Sequence, residues 1–451
     1  MTEGRLWLLR DARTAHKQGT EAIARRQRDR LADMVAFART HSPYYRKLYR
    51  TLPERVADPT LLPVTSKAEL MPQFDDWVTD PAVTLARAQA FADDPQRIGQ
   101  PFAGRYTLST TSGTTGTPGI FLQDARASAV TGAMMMRALA TWLSAREVAR
   151  IARGGARIAL LTPVGGHFAT TVAAARLAGR RRIKAFSVHQ PLPELVDQLN
   201  AFSPAVLAPY ASIGALLAGE AEAGRLRIDP VLVVLSAEGL PIPEYARIAS
   251  ALHANVRTSY AANECPFLSQ SCADGWLHLN ADWAILEPVD ADHQPVPPGQ
   301  RSHTVLLTNL ANRTQPILRY NLGDAVLVRP NPCPCGDPLP AIRVQGRTAD
   351  LLTFPARGGE PVTIAPLAIS LALERIPGVE LFQIVHTAPT DLAIRLQPAP
   401  GADPHRVWQT VHAEITRLLT DHKLDHITVT RTAEPPQQTS GGKFRTVIPL
   451  T

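Results

Sequence analysis

From Arg157 to Tyr260, short apolar runs alternate with stretches whose apolar residues recur every three or four positions. The runs Arg157–Thr162, Ile183–Val188, Ala205–Pro209, Val231–Leu235 and Val256–Tyr260 read as strands. The stretches around Phe168–Leu177, Leu192–Phe202, Ile213–Ala223 and Pro243–Leu252 read as helices. This alternation predicts right-handed βαβ units, and hence a largely parallel sheet flanked by helices. Ligands of such sheets sit beyond the carboxyl ends of the strands. The segments that follow the strands are Gly165-Gly166-His167, Tyr210, Ser236-Ala237-Glu238-Gly239 and Ala261-Ala262-Asn263-Glu264, and a site is expected among them.

The flanks follow other periods. Residues 1 to about 50 read as arginine-rich helix, ended at His41-Ser42-Pro43 by the proline. Proline-punctuated sequence from Glu287 to Gln300 reads as β-hairpins and turns. In the last hundred residues, Leu381–Val385, Leu392–Leu396 and Ile427–Thr430 are strand-like, and Val407, Trp408, Val411, Ile415 and Leu418 share a helical face. The expected fold class is α/β: a large N-terminal domain (residues 1–345) with mostly parallel sheets flanked by helices plus a β-rich part, and a small C-terminal α+β domain (346–451). A chain of 451 residues exceeds what one core usually serves, which also argues for two domains.

Composition narrows the function. No apolar run reaches membrane-spanning length and the N-terminus lacks a signal-peptide pattern, so a cytoplasmic protein with no membrane partner is expected. The net charge is +7, yet the 41 arginines and six lysines lie scattered without aromatic interleaving, so no nucleic-acid partner is expected. Four cysteines in such a chain argue against a disulfide scaffold and leave metal binding open. Cys272, His278, Cys333 and Cys335 form one tetrahedral donor set for a structural Zn2+; the alternative is buried free thiols and a surface histidine.

The densest chemistry is Thr111-Ser112-Gly113-Thr114-Thr115-Gly116-Thr117-Pro118-Gly119. Glycines permit close backbone approach, so N–H groups can converge on phosphate oxygens while hydroxyls add donors. A P-loop carries its lysine directly after the second glycine, whereas Thr117 and Pro118 follow here, so a cation must come from elsewhere. Lys443, in Ser440-Gly441-Gly442-Lys443, sits on a glycine-flexed tail that can deliver it; the alternatives are a solvated linker and an ordinary surface lysine.

In order along the chain stand Ser42-Pro43-Tyr44-Tyr45, Leu62-Pro63-Val64-Thr65-Ser66-Lys67, the hydroxyl and glycine loop, Ser259-Tyr260-Ala261-Ala262-Asn263-Glu264, Pro316–Asp324, Gly346-Arg347-Thr348-Ala349-Asp350 and Gly441-Gly442-Lys443. This ordered set resembles the adenylate-forming (acyl-CoA synthetase) superfamily, and within it the phenylacetate-CoA ligase-like branch. The resemblance implies that Ser112, Gly113, Thr114, Thr115 and Gly116 hold the ATP phosphates. It likewise implies that Ala237, Glu238 and Gly239 line the adenine, that Tyr260 stacks near it and that Asn263 belongs to the same nucleotide site. Glu264 would hold Mg2+, Asp324 would accept from the ribose hydroxyls, Arg347 would assist there, and Lys443 would act at the α-phosphate from a mobile C-terminal lid. His167, Tyr210 and Ala262 would line an acyl slot suited to an aromatic acid, with His167 equally readable as a core histidine.

The implied reaction is ATP-dependent activation of a carboxylic acid to an acyl-adenylate, then transfer to CoA with release of AMP. The rivals are transfer to an amine or a carrier-protein thiol, and a non-catalytic nucleotide-binding regulator; a homodimer is compatible with all three. Two departures from the family pattern stand out. Ala261 replaces the usual glycine after the motif tyrosine, and Ala349 replaces a polar hinge residue, which weakens the CoA half-reaction more than the first.

Overall fold

The computed structural model describes residues 4–450 except 112–118, 163–165, 178–179, 189, 237–238, 241, 348–351, 359–360, 365–368, 370–372, 374–375, 438–444 and 449. It divides into two compact units, residues 1–322 with 326–344, and residues 323–325 with 345–451.

In the first unit the predicted alternation is realised as β3 (Ile158–Thr162), β4 (Ile183–Ser187), β5 (Val206–Ala208), β6 (Leu232–Leu235) and β7 (Asn255–Thr258), joined by helices Ala169–Leu177, Leu192–Phe202, Ala211–Glu222 and Ile242–Leu252. All pair in parallel in the order β4-β3-β5-β6-β7. Their carboxyl ends therefore share one edge. Apolar residues of the strands and covering helices, such as Leu161, Leu207, Val233, Leu217 and Ile248, form one core. A larger core joins the N-terminal helices to two further sheets, the antiparallel β10 (Ala284–Val289), β11 (Thr304–Asn309) and β12 (Tyr320–Asn321), and the set β13 (Asp324–Val328), β14 (Ala341–Arg347), β9 (Leu277–Leu279) and β8 (Ser269–Ser271). The 287–300 region resolves into the β10–β11 hairpin and its loop.

Pro43 behaves differently from its sequence reading. Helix Thr20–His41 does end there, but Pro43 opens helix Pro43–Leu48, with Ser42 as its cap. Proline lacks an N–H where a first helical residue has no use for one. Two four-residue strands without a periodic signature, β1 (Thr107–Thr110) and β2 (Ile120–Gln123), pair antiparallel on either side of the hydroxyl and glycine loop.

The second unit contains an antiparallel pair, β15 (Leu352–Phe354) and β16 (Val362–Ile364), and a four-stranded sheet in the order β19 (Thr428–Arg431), β18 (Asp391–Pro398), β17 (Val379–Ala388), β20 (Val447–Ile448), with helix Pro404–Asp421 packing its Val407, Val411 and Ile415 into the core. Among the described residues no helix is long and apolar enough to cross a membrane.

Candidate active site and metal centre

Thr110, the last residue of β1, links three of the segments singled out in the sequence. Its N–H donates to the carbonyl of His167 at 2.7 Å, and its carbonyl accepts from Asn263 Nδ2 at 3.3 Å. The next residue closes the loop: Thr111 N–H donates to the Gly119 carbonyl at 2.9 Å, and Gly119 N–H donates to Thr111 Oγ1 at 2.8 Å. A side chain at position 119 would meet the Phe121 ring at 2.7 Å, so the loop must leave through a glycine. The hydroxyl and glycine loop thus begins where the segments after β3 and β7 meet. Ser112, Gly113, Thr114, Thr115 and Gly116 themselves lie outside the described residues, as do Ala237, Glu238 and Lys443, and the side chain of Arg347 at the end of β14.

After β7 the chain turns. Thr258 Oγ1 donates to the Leu235 carbonyl at 3.1 Å, tying the end of β7 to β6. Tyr260 N–H donates to Ser269 Oγ at 2.9 Å, and Ala262 and Cys265 exchange backbone hydrogen bonds. That turn leaves Ala262, Asn263 and Glu264 half-buried. Asn309 Nδ2 anchors the Glu264 carbonyl at 2.7 Å, and the buried Tyr320 hydroxyl hydrogen-bonds the Glu264 side chain. Burial and the adjoining carboxylate both push the Tyr320 hydroxyl far above the usual tyrosine range, so it stays protonated and donates to Glu264. Asn309 and Tyr320 carry no local sequence signal for this role, because their contacts with Glu264 join residues far apart in the chain. Cys265 is fully buried and its thiol is raised by desolvation, which suits a wall and not a nucleophile.

His167 and Tyr210 sit deeper than an open slot would place them. His167 is 1% exposed, lies against Phe91 at 5.3 Å, and has Nε2 3.2 Å from the Asp94 carbonyl. A carbonyl only accepts, so Nε2 carries the proton and Nδ1 keeps a lone pair. Nδ1 has no partner among the described residues. Tyr210 belongs to the sheet core and its hydroxyl shares a hydrogen bond of 2.9 Å with Thr170. Gly239 is exposed beyond the end of β6. Asp324 is buried at the head of β13, directly after Gly323, whose φ of 73° favours glycine.

The cysteines and histidine predicted as one set do converge. The ligand atoms of Cys272, His278, Cys333 and Cys335 all lie within 4.8 Å of one another. Cys272 Sγ and Cys333 Sγ are 3.8 Å apart, too far for a disulfide, and Cys335 Sγ is 3.3 Å from His278 Nε2. A tetrahedral ion with bonds of about 2.3 Å sets two thiolates about 3.8 Å apart, so the arrangement fits Zn2+. His278 Nδ1 meets the Leu339 carbonyl at 2.9 Å, which fixes Nε2 as the lone-pair nitrogen a metal requires. Asp337 lies 3.8 Å from His278 Nδ1 and 3.2 Å from His16 Nε2, joining the centre to the first helix. An ion held by all four side chains would have no open coordination position, the pattern of a structural site.

No protein-family model and no curated protein sequence matches this chain. Solved structures do. A 2-hydroxyisobutyryl-CoA ligase in the postadenylation state with an acyl-AMP is 22% identical over 95% of this chain and 89% of its own, with a TM-score of 0.66. An anthranilate CoA ligase in complex with anthranoyl-AMP is 15% identical over 75% of this chain and 64% of its own, at 0.53. An amide bond synthetase from Marinactinospora thermotolerans is 15% identical over 75% of this chain and 67% of its own, at 0.50. The order of helices and sheets, the loop seated between β1 and β2, and these likenesses together establish that the chain has the fold of the adenylate-forming ligases.

Proposed function

We propose that this chain is an AMP-forming acid-thiol ligase of the phenylacetate-CoA ligase type, converting an aromatic carboxylic acid to an acyl-adenylate and then to a CoA thioester. The observation that carries the reading is Thr110, which ties the foot of the hydroxyl and glycine loop to both His167 and the Asn263-Glu264 segment. In this reading the foot of a phosphate loop, the segment of an acid that would hold Mg2+ and a segment that would border the acyl group share one strand end, as attack of a carboxylate on an ATP α-phosphate requires.

In this reading residues 112–116 cradle the β- and γ-phosphates, and Ala237 to Gly239 with Tyr260 flank the adenine. Asp324 accepts from the ribose hydroxyls, assisted by Arg347. Glu264 would hold Mg2+, which when bound neutralises phosphate charge. Tyr320 and Asn309 keep the Glu264 segment in place for that role. Ala262 and the His167 segment would border the acid. Lys443 would supply a cation to the reacting phosphate. The anthranilate CoA ligase supports an aromatic acid, whereas the 2-hydroxyisobutyryl-CoA ligase, alike over more of the chain, carries an aliphatic acyl group; both support CoA as acceptor.

Pyrophosphate release measured across a panel of acids, with and without CoA, tests the whole reading. The expected result is slow, adenylate-limited release without CoA and sustained turnover with an acyl-CoA product when it is added. Adenylate alone, or an amide once amines are supplied, favours the second reading, in which the acceptor is an amine or carrier protein. That reading draws on Ala349 at the hinge position and on the amide-forming neighbour.

Tyr320→Phe removes a donor to a carboxylate while conserving shape. Such a bond contributes roughly 1.5–3 kcal/mol, so kcat/KM for adenylation should fall by about 10-fold or more, and half-saturation should need more Mg2+. An unaltered Mg2+ titration would show that Tyr320 does not position Glu264.

A further inference from the structure

The edge of the parallel sheet opposite the candidate site gathers charge. Parallel pairing places the loops that enter the five strands side by side, and a row of backbone hydrogen bonds confirms it. Ile158 N–H donates to Arg182 O at 2.8 Å, Ala205 to Arg157 at 2.9 Å, Val231 to Ala205 at 2.8 Å and Asn255 to Val231 at 3.0 Å. These entry segments (153–157, 180–182, 203–205, 223–231 and 253–254) contain Arg153, Arg157, Arg180, Arg181, Arg182, Arg225 and Arg227 against a single acid, Asp229. Of the chain's 47 basic and 40 acidic residues they take seven and one, leaving 40 and 39 elsewhere. Nearly the whole net charge of +7 therefore sits on one edge. This corrects the impression of scattered arginines: they are scattered along the sequence and collected by the topology.

The cations are mostly unneutralised. Arg225 pairs with Glu220, and Asp229 is taken by Arg150. Among the described residues the other six have no carboxylate partner; Arg157 and Arg227 reach only backbone carbonyls. All seven are exposed except the half-buried Arg157.

Helix Ala145–Arg153 lies across the same edge. Its first turn is tied to the start of β7 by Asn255 Nδ2 to Glu147 at 3.2 Å, its middle to the loop before β6 by Arg150 and Asp229, and its end runs straight into β3. Nine residues span about 13.5 Å, matching the roughly 14 Å of three strand spacings. No residue of this helix is buried. Glu147, Arg150 and Ile151 face the sheet edge at intermediate exposure, while Ala145, Val148, Ala149 and Ala152 form an outward apolar strip flanked on one side by the exposed Arg146 and Arg153, with Val148 52% exposed.

We infer that this amino edge is a docking surface for an anionic lipid bilayer. A flat row of arginines on short loops suits a planar array of phosphate headgroups, since guanidinium matches phosphate bidentately. The apolar strip, lying parallel to the edge with arginines along one flank, suits shallow entry at the headgroup boundary. Spanning segments are not required. A nucleic acid is the poorer match, because these entry segments carry no aromatic residue to stack on a base and nucleic acid offers the apolar strip nothing. Docked in this way, the carboxyl edge of the sheet, a strand length of about 17 Å away, points toward water.

The test is co-sedimentation of the full chain with vesicles of phosphatidylcholine alone, or with roughly one third phosphatidylglycerol. The expected result is binding to the anionic vesicles only, weakened by salt. Arg180→Glu/Arg181→Glu/Arg182→Glu should lower the partition coefficient by roughly 100-fold or more, and Val148→Asp by a smaller factor. Both variants should keep the wild-type melting temperature, since the substituted side chains are exposed. No binding to anionic vesicles at low salt, or equal binding by the folded triple variant, overturns the inference. Duplex DNA that displaces the vesicles at equal phosphate concentration, with Val148→Asp having no effect, also overturns it in favour of a nucleic-acid surface.

Discussion

Lys443→Ala is expected to reduce kcat for adenylate formation by roughly 100- to 1,000-fold while changing the Kd for ATP only a few-fold. The argument is one of charge. The hydroxyl and glycine loop contains no lysine or arginine between Thr111 and Gly119, and the residue after Gly116 is Thr117 where a P-loop would have its cation. Backbone N–H groups and hydroxyls can hold a polyphosphate in the ground state. Displacement at the α-phosphate builds further charge, and a group that meets it only then appears in kcat and not in binding. Lys443 follows two glycines in a chain with only six lysines, and it is the one the family resemblance places in this role. Pyrophosphate exchange gives kcat and calorimetry gives the ATP Kd. Lys443→Arg, which keeps the charge but not the reach, should recover part of the rate. An adenylation rate within twofold of wild type would make Lys443 a surface residue and leave the loop without its cation.

The second large effect is expected at the cysteine centre. Protein purified without chelator should contain about one zinc per chain. Cys333→Ala, or chelation, should lower stability by several kcal/mol, because ligand binding to the folded form contributes directly to folding free energy. Burial and thiol crowding push Cys272 up and Cys335 up to about 12, so in the metal-free protein both thiols are neutral and metal uptake must displace protons. Affinity should accordingly weaken as pH falls. The loss should be local first. Amide exchange should rise in β8, β9 and the 337–341 segment, where Leu339 and Asp337 back the His278 ring, and in the first helix through His16. Metal-free protein with unchanged melting and exchange would reduce the cluster to four packed side chains.

Much of the fold was legible before any coordinates. The five parallel strands and their four helices lie within a few residues of their predicted positions because buried parallel strands are continuous apolar runs and amphipathic helices repeat every three or four residues. The helix and the long strands of the C-terminal unit were legible for the same reason. β1, β2 and β20 were not, being two to four residues long and lacking a period to read. Pro43 is ambiguous in the sequence because a proline signals a helix end and a helix start alike, and only the placement of Ser42 and Tyr45 separates them.

For the site, the sequence by itself supplied the candidate groups: a hydroxyl- and glycine-rich loop without a cation, an acid after β7, a lysine on a glycine-flexed tail and four side chains with metal-donor atoms. Only the tertiary structure decided which of these meet. It brought the loop foot to His167 and Asn263 through Thr110, supplied Tyr320 and Asn309 to Glu264, closed Tyr210 onto Thr170, drew Cys272 and Cys333 to tetrahedral spacing, and collected seven arginines on one edge. The division has one physical cause. Local periodicity is written by neighbours three or four residues apart, whereas sites and surface fields are made by strand order and register, and these depend on burial of apolar faces between segments far apart in the chain, 40 to 153 residues for the contacts named.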